Sequence, residues 1–426
     1  MMLVCILFLV FLLMNVPIAF TIGIASLSFF LVEPNLPISL YVQRMVSGTQ
    51  SFPLLAVPFF VLAGHIMNAA GITKRLIRFA NALTGHLIGG LAHVSIVLSG
   101  LMGGVSGSAN ADAAMQSRIL APQMLKRGYS GGYAISVIAV SSLITATIPP
   151  SIGLILYGFV GEVSIGKLFI AGIVPGVLLT FVLMITSYII AKKRGYDSQV
   201  NIERPSFNVV VDSFKDSFWA LLFPVILIVG IRFGIFTASE GGAFAVVYAL
   251  FIGAFVYREL SFSKVREVLS ATVMDNAVIM LIISTAAILG YLVTYARVPH
   301  SISELIMGVT SEPALVLLLV LLFILIAGMF MEATVNTLLL TPIFLPIVQQ
   351  FGVDPVHFGI IMMLIVTLGG MTPPVGVTMY TVCSLTGISI DQYLRESFPF
   401  LLSVVVLVLV LAFFPGIVMF LPDLLM

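Results

Sequence analysis

A polar segment within an otherwise apolar stretch is the first feature of this chain that could do chemistry. Residues 100–115 read GLMGGVSGSANADAAM and contain four glycines, two serines, an asparagine and an aspartate. Hydroxyl, amide and carboxylate oxygens are hard ligands that suit Na⁺ and other hard cations. An ionisable side chain at membrane depth indicates function by default. The segment therefore predicts an ion site at a turn of the backbone, with Asp112 as its acidic group.

Three other segments interrupt apolar stretches in a similar way. Pro149-Pro150 and Pro373-Pro374 each break an apolar run, and residues 328–336 combine Gly, Glu, Thr and Asn. Two adjacent prolines cannot continue a helix, because each removes a backbone N–H and clashes with the preceding turn. Unwound backbone in lipid costs several kcal/mol for each unpaired group. We therefore expect these breaks to line a cavity or to be buried in protein.

The composition shows which class of protein must position these residues. Of 426 residues, 60% are hydrophobic and 9% are charged, with a mean hydropathy of +1.19. Soluble domains carry about a quarter charged residues, so the chain is predicted to be an all-α polytopic membrane protein. The net charge of +1 gives no reason to expect a nucleic-acid partner. Cys5 and Cys383 lie in apolar runs and indicate neither a disulfide framework nor a metal site.

An offset of 224 residues relates the two halves of the chain. It aligns Pro122 with Pro346, Pro149-Pro150 with Pro373-Pro374, Pro175 with Pro399, Gly104 with Gly328 and Asp112 with Asn336. Single matches of this kind are weak, but they share one register from residue 19 to residue 175. The chain is therefore predicted to be a duplicated unit, roughly 1–200 and 225–426.

The positive-inside rule orients the two units. If Lys74, Arg75 and Arg78 are cytoplasmic, 14 of the 19 Lys and Arg residues fall in cytoplasmic connections. This choice predicts inverted repeats with nine crossings and two re-entrant hairpins, a cytoplasmic N-terminus and a periplasmic C-terminus. The predicted crossings are 3–32, 52–70, 133–161, 167–190, 217–234, 237–257, 271–295, 357–384 and 397–420, and the hairpin arms are 91–102 with 110–120 and 315–330 with 336–348. Inverted repeats with broken helices are typical of secondary transporters.

The polarity of the half-helices assigns chemistry to the breaks. An arm that enters the membrane ends in free carbonyls that suit a cation, whereas an arm that leaves begins with N–H groups that suit an anion. We expect at least two Na⁺ ions, one in each repeat. The first is expected near Ser106, Ser108, Asn110, Asp112, Thr145 and Thr147, and the second near Thr334, Asn336, Gly369, Gly370 and Thr372. The predicted substrate contacts are Ser108, Asn110, Pro150, Ser151, Glu332, Thr334 and Pro374.

Simpler interpretations stay open for several of these residues. Gly and Ser in membrane helices also mark close packing, and a proline often only kinks a helix. Asp112 could cap the second hairpin arm, and Glu332 could pair within its own hairpin. His65, His86 and His93 lie among apolar neighbours and are interpreted as packing residues.

An enzyme is a remote alternative. Gly104-Val105-Ser106-Gly107 has the G-x-S-G pattern of intramembrane serine proteases, which need a base within reach of the serine. The histidines that follow Ser106 are His300 and His357, and both fall at external helix ends in the predicted topology. The matched position in the second repeat, Phe330, has no hydroxyl. We therefore expect a transporter and not an enzyme.

The motifs together resemble the large membrane subunit of TRAP (tripartite ATP-independent periplasmic) transporters, over essentially the whole chain. The resemblance rests on residues 104–112, Ile148-Pro149-Pro150-Ser151, Thr237-Ala238-Ser239-Glu240 and Gly370-Met371-Thr372-Pro373-Pro374 with Gly376. It implies an elevator-type, Na⁺-coupled importer of a small organic acid anion, such as a C4-dicarboxylate, a sialic acid or a sugar acid. It also implies the bacterial inner membrane and two partners, a small four-helix membrane subunit and a periplasmic substrate-binding protein.

The expected elevator also divides the chain into parts. Residues 1–70 and 217–296 are expected to form the scaffold, and residues 201–216 a cytoplasmic connector. Residues 71–200 and 297–426 are expected to form the transport domain, each with one hairpin and one broken helix. The main alternative is an elevator symporter of the sodium–dicarboxylate type, which would act without partners.

Overall fold

The chain is helical throughout the parts described by this computed structural model, which are residues 1–14, 16–197, 204–308, 310 and 312–426. Its helices in the first half are α1 Met2–Leu13, α2 Ile18–Val32, α3 Ile38–Ser47, α4 Ala56–Ala69, α5 Ile72–Thr84, α6 Gly90–Gly103, α7 Ala109–Ile119, α8 Ala121–Lys126, α9 Gly131–Thr147, α10 Ile152–Val160 and α11 Ile165–Arg194. Those in the second half are α12 Phe207–Arg232, α13 Ala238–Phe251, α14 Phe262–Tyr295, α15 Val298–Met307, α16 Pro313–Phe330, α17 Ala333–Gln350, α18 Pro355–Gly369, α19 Val377–Thr386, α20 Ile390–Phe413 and α21 Pro415–Leu425.

The helices of the two halves correspond at the offset of 224 residues. The pairs are α2 with α13, α5 with α15, α6 with α16, α7 with α17, α9 with α18, α10 with α19 and α11 with α20. The positions of α3 and α4 correspond to the two ends of one continuous helix, α14. The predicted duplication is therefore confirmed element by element.

The membrane-length helices agree with most of the predicted crossings. Within the described ranges, seven helices are long and apolar enough to cross a membrane, and the pair α9 and α10, bent by 47°, makes an eighth candidate. Six of the seven coincide with predicted crossings, and the seventh, α16, is the predicted first arm of the second hairpin. The second broken helix consists of α18 and α19, which are separated by the segment that contains Pro373-Pro374.

The structure differs from the prediction where a proline divides an apolar run. The predicted crossing 3–32 consists of two helices, α1 and α2, which pack against each other. Pro17 stands directly before α2 and cannot donate the N–H that would continue α1. For the same reason the predicted crossing 397–420 ends at Phe413, and Pro415 begins α21.

Three amphipathic helices were not predicted, and one boundary differs. α3, α5 and α15 are too short and too polar to cross a membrane, so a search for apolar runs of spanning length misses them. The helix α12 begins at Phe207, so residues 207–216 of the expected connector are helical, and residues 201–203 lie outside the described residues.

Local side-chain chemistry explains where the helices begin. Ser108, Ser130 and Ser151 each accept a hydrogen bond from a backbone N–H in the first turn of the following helix. Thr237 and Glu240 form a reciprocal capping box at the start of α13. Residues 237–240, one of the segments that carry the family resemblance, therefore have a structural function, which is to start α13.

Contacts between helices fall into two groups. In the first group α4 packs against α13 and α14, and α2 packs against α14. In the second group α6 and α7 pack against α9, α16 packs against α18, and α9 packs against α20. The hairpins and broken helices thus form one body. The two groups are joined by several contacts. α14 packs against α17, and α5 packs against both α6 and α12.

Candidate functional site

The tips of both hairpins meet in one cavity. It has a volume of about 570 Å³ and is lined by residues 106–112 of the first hairpin and 332–335 of the second. Gly370 and Thr378 of the second broken helix contribute to its wall. The opposite wall comes from α4 and α14, which belong to the other group of helices. The cavity therefore lies between the two bodies of the fold.

The turn of the first hairpin requires glycine. Gly107 has φ +61°, and a Cβ atom there would lie 2.5 Å from the carbonyl oxygen of Pro150. Both the backbone conformation and this close approach exclude a larger residue. The glycine thus brings the hairpin tip against the Pro-Pro break of the first repeat.

Asp112 lies behind this tip within a network of neutral polar groups. Its Oδ2 atom is 2.7 Å from Ser99 Oγ, 2.9 Å from Gln116 Nε2 and 2.8 Å from Thr145 Oγ1. The side chain is 1% exposed, and its Oδ1 atom has no hydrogen-bond partner among the described residues. No Lys or Arg side chain pairs with it in that part of the chain. The carboxylate therefore combines full burial with one unpaired oxygen and no protein counter-charge.

Among the other buried oxygens without a partner in the described residues, two lie in the first turns of the second hairpin arms. Asn110 Oδ1 and Asn336 Oδ1 also have no donor within reach in the described residues. Asn336 occupies the position matched to Asp112 in the second repeat. Buried acceptors normally have a donor, because an unpaired one costs about 1–3 kcal/mol. The chemistry of these oxygens fits a small hard cation, which accepts lone pairs and needs no hydrogen atom.

The second hairpin has a different arrangement at its tip. Glu332 occupies the position matched to Ser108 and caps α17, with its carboxylate accepting from Thr334 N at 2.8 Å and lying 3.2 Å from Thr334 Oγ1. This pairing within the hairpin was the alternative left open by the sequence. The N-terminus of α17 therefore carries its own carboxylate, whereas Ser108 caps α7 with a neutral hydroxyl. The first hairpin therefore starts its second arm with a hydroxyl cap and carries its acidic group, Asp112, one turn further into the helix.

The residues expected to bind the first Na⁺ are only partly brought together. Ser106, Ser108, Asn110 and Asp112 line the cavity, and Thr145 contacts Asp112. The Thr147 hydroxyl donates instead to Leu143 O at 2.8 Å, within its own helix.

The residues expected to bind the second Na⁺ are more dispersed. Thr334 and Gly370 line the cavity, and Asn336 Nδ2 donates to Met331 O at 2.9 Å. Thr372 Oγ1 donates to Leu368 O at 2.8 Å. A Cβ atom at Gly369 would lie 2.6 Å from Gly328, so this glycine allows α16 and α18 to pack closely. Gly369 therefore follows the simpler interpretation left open by the sequence, in which a glycine marks close helix packing.

The expected substrate contacts also divide into two sets. Ser108, Asn110, Glu332 and Thr334 line the cavity. Ser151 is fully buried and caps α10, and Pro150 contacts the hairpin tip through its backbone. Neither these two residues nor Pro374 belongs to the described cavity lining.

The sequence analysis missed several polar residues at the site. Ser99 and Gln116 contact Asp112, and Ser141 contacts Ser99. A regular spacing could have revealed the first two. Gln116 follows Asp112 by one helical turn, and Ser99 follows Ser95 by one turn, so each pair shares a helix face. Only the tertiary contact between α6, α7 and α9 brings the two faces together.

The wall formed by α4 and α14 carries a hydrogen-bonded pair of side chains, His65 and Asp275. His65 Nε2 lies 2.8 Å from Asp275 Oδ2, and both residues line the cavity. His65 is therefore not the packing residue that the sequence indicated. No Lys or Arg is part of the lining within the described chain. Helix N-termini are thus the positively polarised groups that face the cavity.

Among the described residues, Ser106 has no base arranged for nucleophilic chemistry. Its Oγ lies 3.4 Å from the carbonyl oxygen of Ser108, which belongs to the same turn. No histidine is hydrogen-bonded to it within the part of the chain that the structure covers. The geometry is that of a turn and not of a serine protease.

A solved structure shares this fold. The Alcanivorax borkumensis YdaH transporter, described as having an unusual topology, matches with a TM-score of 0.59 over 89% of this chain and 88% of its own. The sequence identity is 13%, so the likeness concerns the fold alone.

Sequence comparisons identify the family. The chain is 38% identical over 410 residues to the sialic acid TRAP transporter large permease protein SiaM of Vibrio cholerae, covering 96% of this chain and 95% of SiaM. It is 35% identical over 404 residues to the 2,3-diketo-L-gulonate TRAP transporter large permease protein YiaN of Escherichia coli, covering 95% and 94%. Both relatives are named as transport permeases and not as enzymes. Since the model of the tripartite ATP-independent periplasmic transporter DctM component also matches residues 5–417, this chain belongs to the TRAP transporter family as a large permease subunit.

Proposed function

We propose that this subunit imports a small organic acid anion and that Na⁺ drives the import. The observation that carries the proposal is the buried Asp112 carboxylate, whose partners are neutral and whose Oδ1 is unpaired. A buried carboxylate without a counter-charge is costly, and a bound cation would remove that cost. The unpaired Asn336 oxygen at the matched position supports a second ion. We therefore propose at least two coupling Na⁺ ions.

The cavity supports an anionic substrate of modest size. Its volume of about 570 Å³ lies within the usual range for small-molecule sites. The first turn of α7 faces it, and the backbone N–H groups at that helix start suit a carboxylate. The named substrates of SiaM and YiaN are also organic acids. We propose a substrate in the class of C4-dicarboxylates, sialic acids or sugar acids.

The position of the cavity supports an elevator mechanism. One wall belongs to α4 and α14 and the other to the hairpins and broken helices, so substrate bound at the tips can move with the second body past the first. In this mechanism the first group of helices is the scaffold. The hinge elements are α5 and its counterpart α15, which connect the two groups in sequence.

Partners and orientation follow from the family and from the charges. TRAP large permeases work with a small membrane subunit and a periplasmic binding protein, and we propose both for this chain. The outer surfaces of α12 and α14 are rich in exposed apolar side chains, as a membrane subunit or lipid requires. We propose the bacterial inner membrane as the location, with a cytoplasmic N-terminus and a periplasmic C-terminus.

Reconstituted transport tests the proposed function. The chain, its small subunit and the binding protein are placed in proteoliposomes, and uptake of radiolabelled sialic acid, a C4-dicarboxylate and a sugar acid is measured with and without a Na⁺ gradient. We expect uptake of one of these acids only with the gradient and the binding protein. Equal uptake in K⁺ would contradict Na⁺ coupling. Robust Na⁺-driven uptake by the chain alone would favour the stand-alone symporter.

A further inference from the structure

The polar network around Asp112 occurs in one repeat only. The two halves correspond helix by helix, yet the residues that surround Asp112 have apolar counterparts at the offset of 224. The pairs are Ser95 with Leu319, Ser99 with Phe323, Gln116 with Leu340, Ser141 with Ile365 and Thr145 with Gly369. All five polar members are fully buried. The two hairpins therefore have the same backbone plan and different buried chemistry.

Packing explains why the second repeat cannot carry the same network. At Gly369 a Cβ atom would lie 2.6 Å from Gly328 backbone carbons and 2.8 Å from Leu325 O. A threonine there, matching Thr145, would have no room. The second repeat thus uses close helix packing at the place where the first repeat has a hydroxyl.

Gln116 is the central member of the network because every polar group of its amide is used. Its Nε2 atom lies 2.9 Å from Asp112 Oδ2 and 2.7 Å from Ser99 Oγ, and its Oε1 accepts from Ser95 Oγ at 2.6 Å. In this orientation the amide directs its two N–H groups at the Asp112 carboxyl and the Ser99 hydroxyl, and its oxygen at Ser95. Ser99 in turn donates to Asp112 Oδ2 at 2.7 Å.

The network leaves the two carboxylate oxygens in different states. All three neighbouring donors approach Oδ2, and Oδ1 receives none in the described residues. A proton on Oδ1 would not resolve this, because the resulting O–H would have no acceptor there. A carboxylate held by one oxygen presents the other in a defined direction, as ligands supported by a second layer of hydrogen bonds do.

We propose that Gln116 and Ser99 are positioning residues that hold Asp112 so that Oδ1 faces the coupling cation of the first hairpin. Asp112 supplies the charge of this ion site, and Gln116 and Ser99 prearrange it. The matched residue Asn336 is neutral, and Leu340 and Phe323 occupy the positions of the two supporting side chains. Gln116 and Ser99 themselves do not bind the ion. This inference rests on the proposed Na⁺ coupling.

A Na⁺ titration of protein stability tests the inference without relying on transport. The purified full-length chain in lipid nanodiscs is unfolded by heat at increasing NaCl, with choline chloride holding the ionic strength constant. Gln116→Met keeps the length of the side chain and removes both donors. We expect the Na⁺ concentration at half-maximal stabilisation to rise about tenfold, as is typical when a supporting hydrogen bond to a ligand is lost. Ser99→Ala is expected to shift it in the same direction.

The matched control is Gln123→Met on the neighbouring helix α8. The Gln123 amide donates only to the backbone carbonyl of Ile119 at 2.9 Å and is exposed to solvent. We expect the Na⁺ midpoint of this variant to equal that of the unaltered chain. Gln116→Met and Ser99→Ala variants with a lower unfolding temperature and an unchanged Na⁺ midpoint would show a structural role only and would overturn the inference. Absence of Na⁺ stabilisation in the unaltered chain would overturn the proposed coupling, and with it this inference.

Discussion

At the scale of single residues, Asp112 is the group whose environment has no purely structural explanation. Helix capping was a reasonable alternative for an acidic residue in the first turn of α7, but Ser108 performs that function. The Asp112 carboxylate instead faces hydroxyl and amide groups in the interior. Its burial without a counter-charge destabilises the ion-free protein and creates a reason to bind a cation.

The variant Asp112→Asn separates the destabilisation caused by the buried carboxylate from the contribution of that carboxylate to cation binding. In Na⁺-free buffer we expect it to unfold at a higher temperature than the unaltered chain, since it removes a buried charge worth about 1–3 kcal/mol. In saturating Na⁺ we expect the order to reverse, and uptake by the reconstituted transporter to fall at least about tenfold. Thermal unfolding with and without Na⁺ measures the first pair of outcomes. The control is Asp391→Asn, whose carboxylate is 69% exposed and pairs with Arg395, and for which no change is expected. The interpretation is wrong if Asp112→Asn leaves the Na⁺ response intact.

At the scale of helices, close glycine packing and buried polar side chains are divided between the repeats. The first hairpin packs on α9 through polar side chains, whereas the second packs on α18 through Gly328 and Gly369. Gly369, which the sequence associated with the second ion site, is therefore a packing residue. The same division explains why the expected second Na⁺ residues are less well gathered than the first.

The substitution Gly369→Ala tests this division. Within a helix, Gly→Ala ordinarily stabilises by about 0.5–1 kcal/mol. At position 369 we expect destabilisation of about 1–3 kcal/mol instead, because the new methyl group overlaps the backbone of α16. The unfolding temperature measures the effect. Gly416→Ala is the control, since no atom lies within 4 Å of a Cβ there, and its stability should stay equal or rise. Equal behaviour of the two variants would refute the close packing.

At the scale of the whole molecule, the elevator proposal requires relative motion across the cavity. Gly64 of α4 lies against the tip of the first hairpin, and its Cβ would be 3.8 Å from Ser106 Cα. These two positions belong to different bodies and are close enough for a disulfide.

A double cysteine variant, Gly64→Cys with Ser106→Cys, tests that motion in a background with Cys5→Ser and Cys383→Ser. We expect oxidation to stop Na⁺-driven uptake and reduction to restore it to its level before oxidation. The single variant Gly64→Cys in the same background controls for the oxidant and should be insensitive to it. Undiminished uptake after complete cross-linking would rule out movement between α4 and the hairpin.

Much of the fold follows from local features of the sequence. Apolar length predicted most spanning helices, Pro-Pro pairs predicted both broken helices, and the offset of 224 predicted the correspondence between halves. Apolar length and Pro-Pro pairs are local features, because each limits the backbone at its own position whatever the rest of the chain does. The division of 3–32 into α1 and α2 was missed, because a single proline permits either a kink or a reversal of direction.

The sequence by itself determined the class of protein, the duplicated plan and the acidic residue at the first hairpin. The tertiary structure decided what surrounds each of these residues. Gln116 and Ser99 lie on different helices, and Glu332 and Thr334 could have faced the ion, the substrate or each other. The physical reason is that a side chain in a low-dielectric interior acts through the groups that it contacts. Those contacts depend on how α6, α7 and α9 pack in the first repeat and how α16, α17 and α18 pack in the second. The same backbone plan therefore places a buried polar network beside Asp112 in one repeat and a close glycine contact in the other.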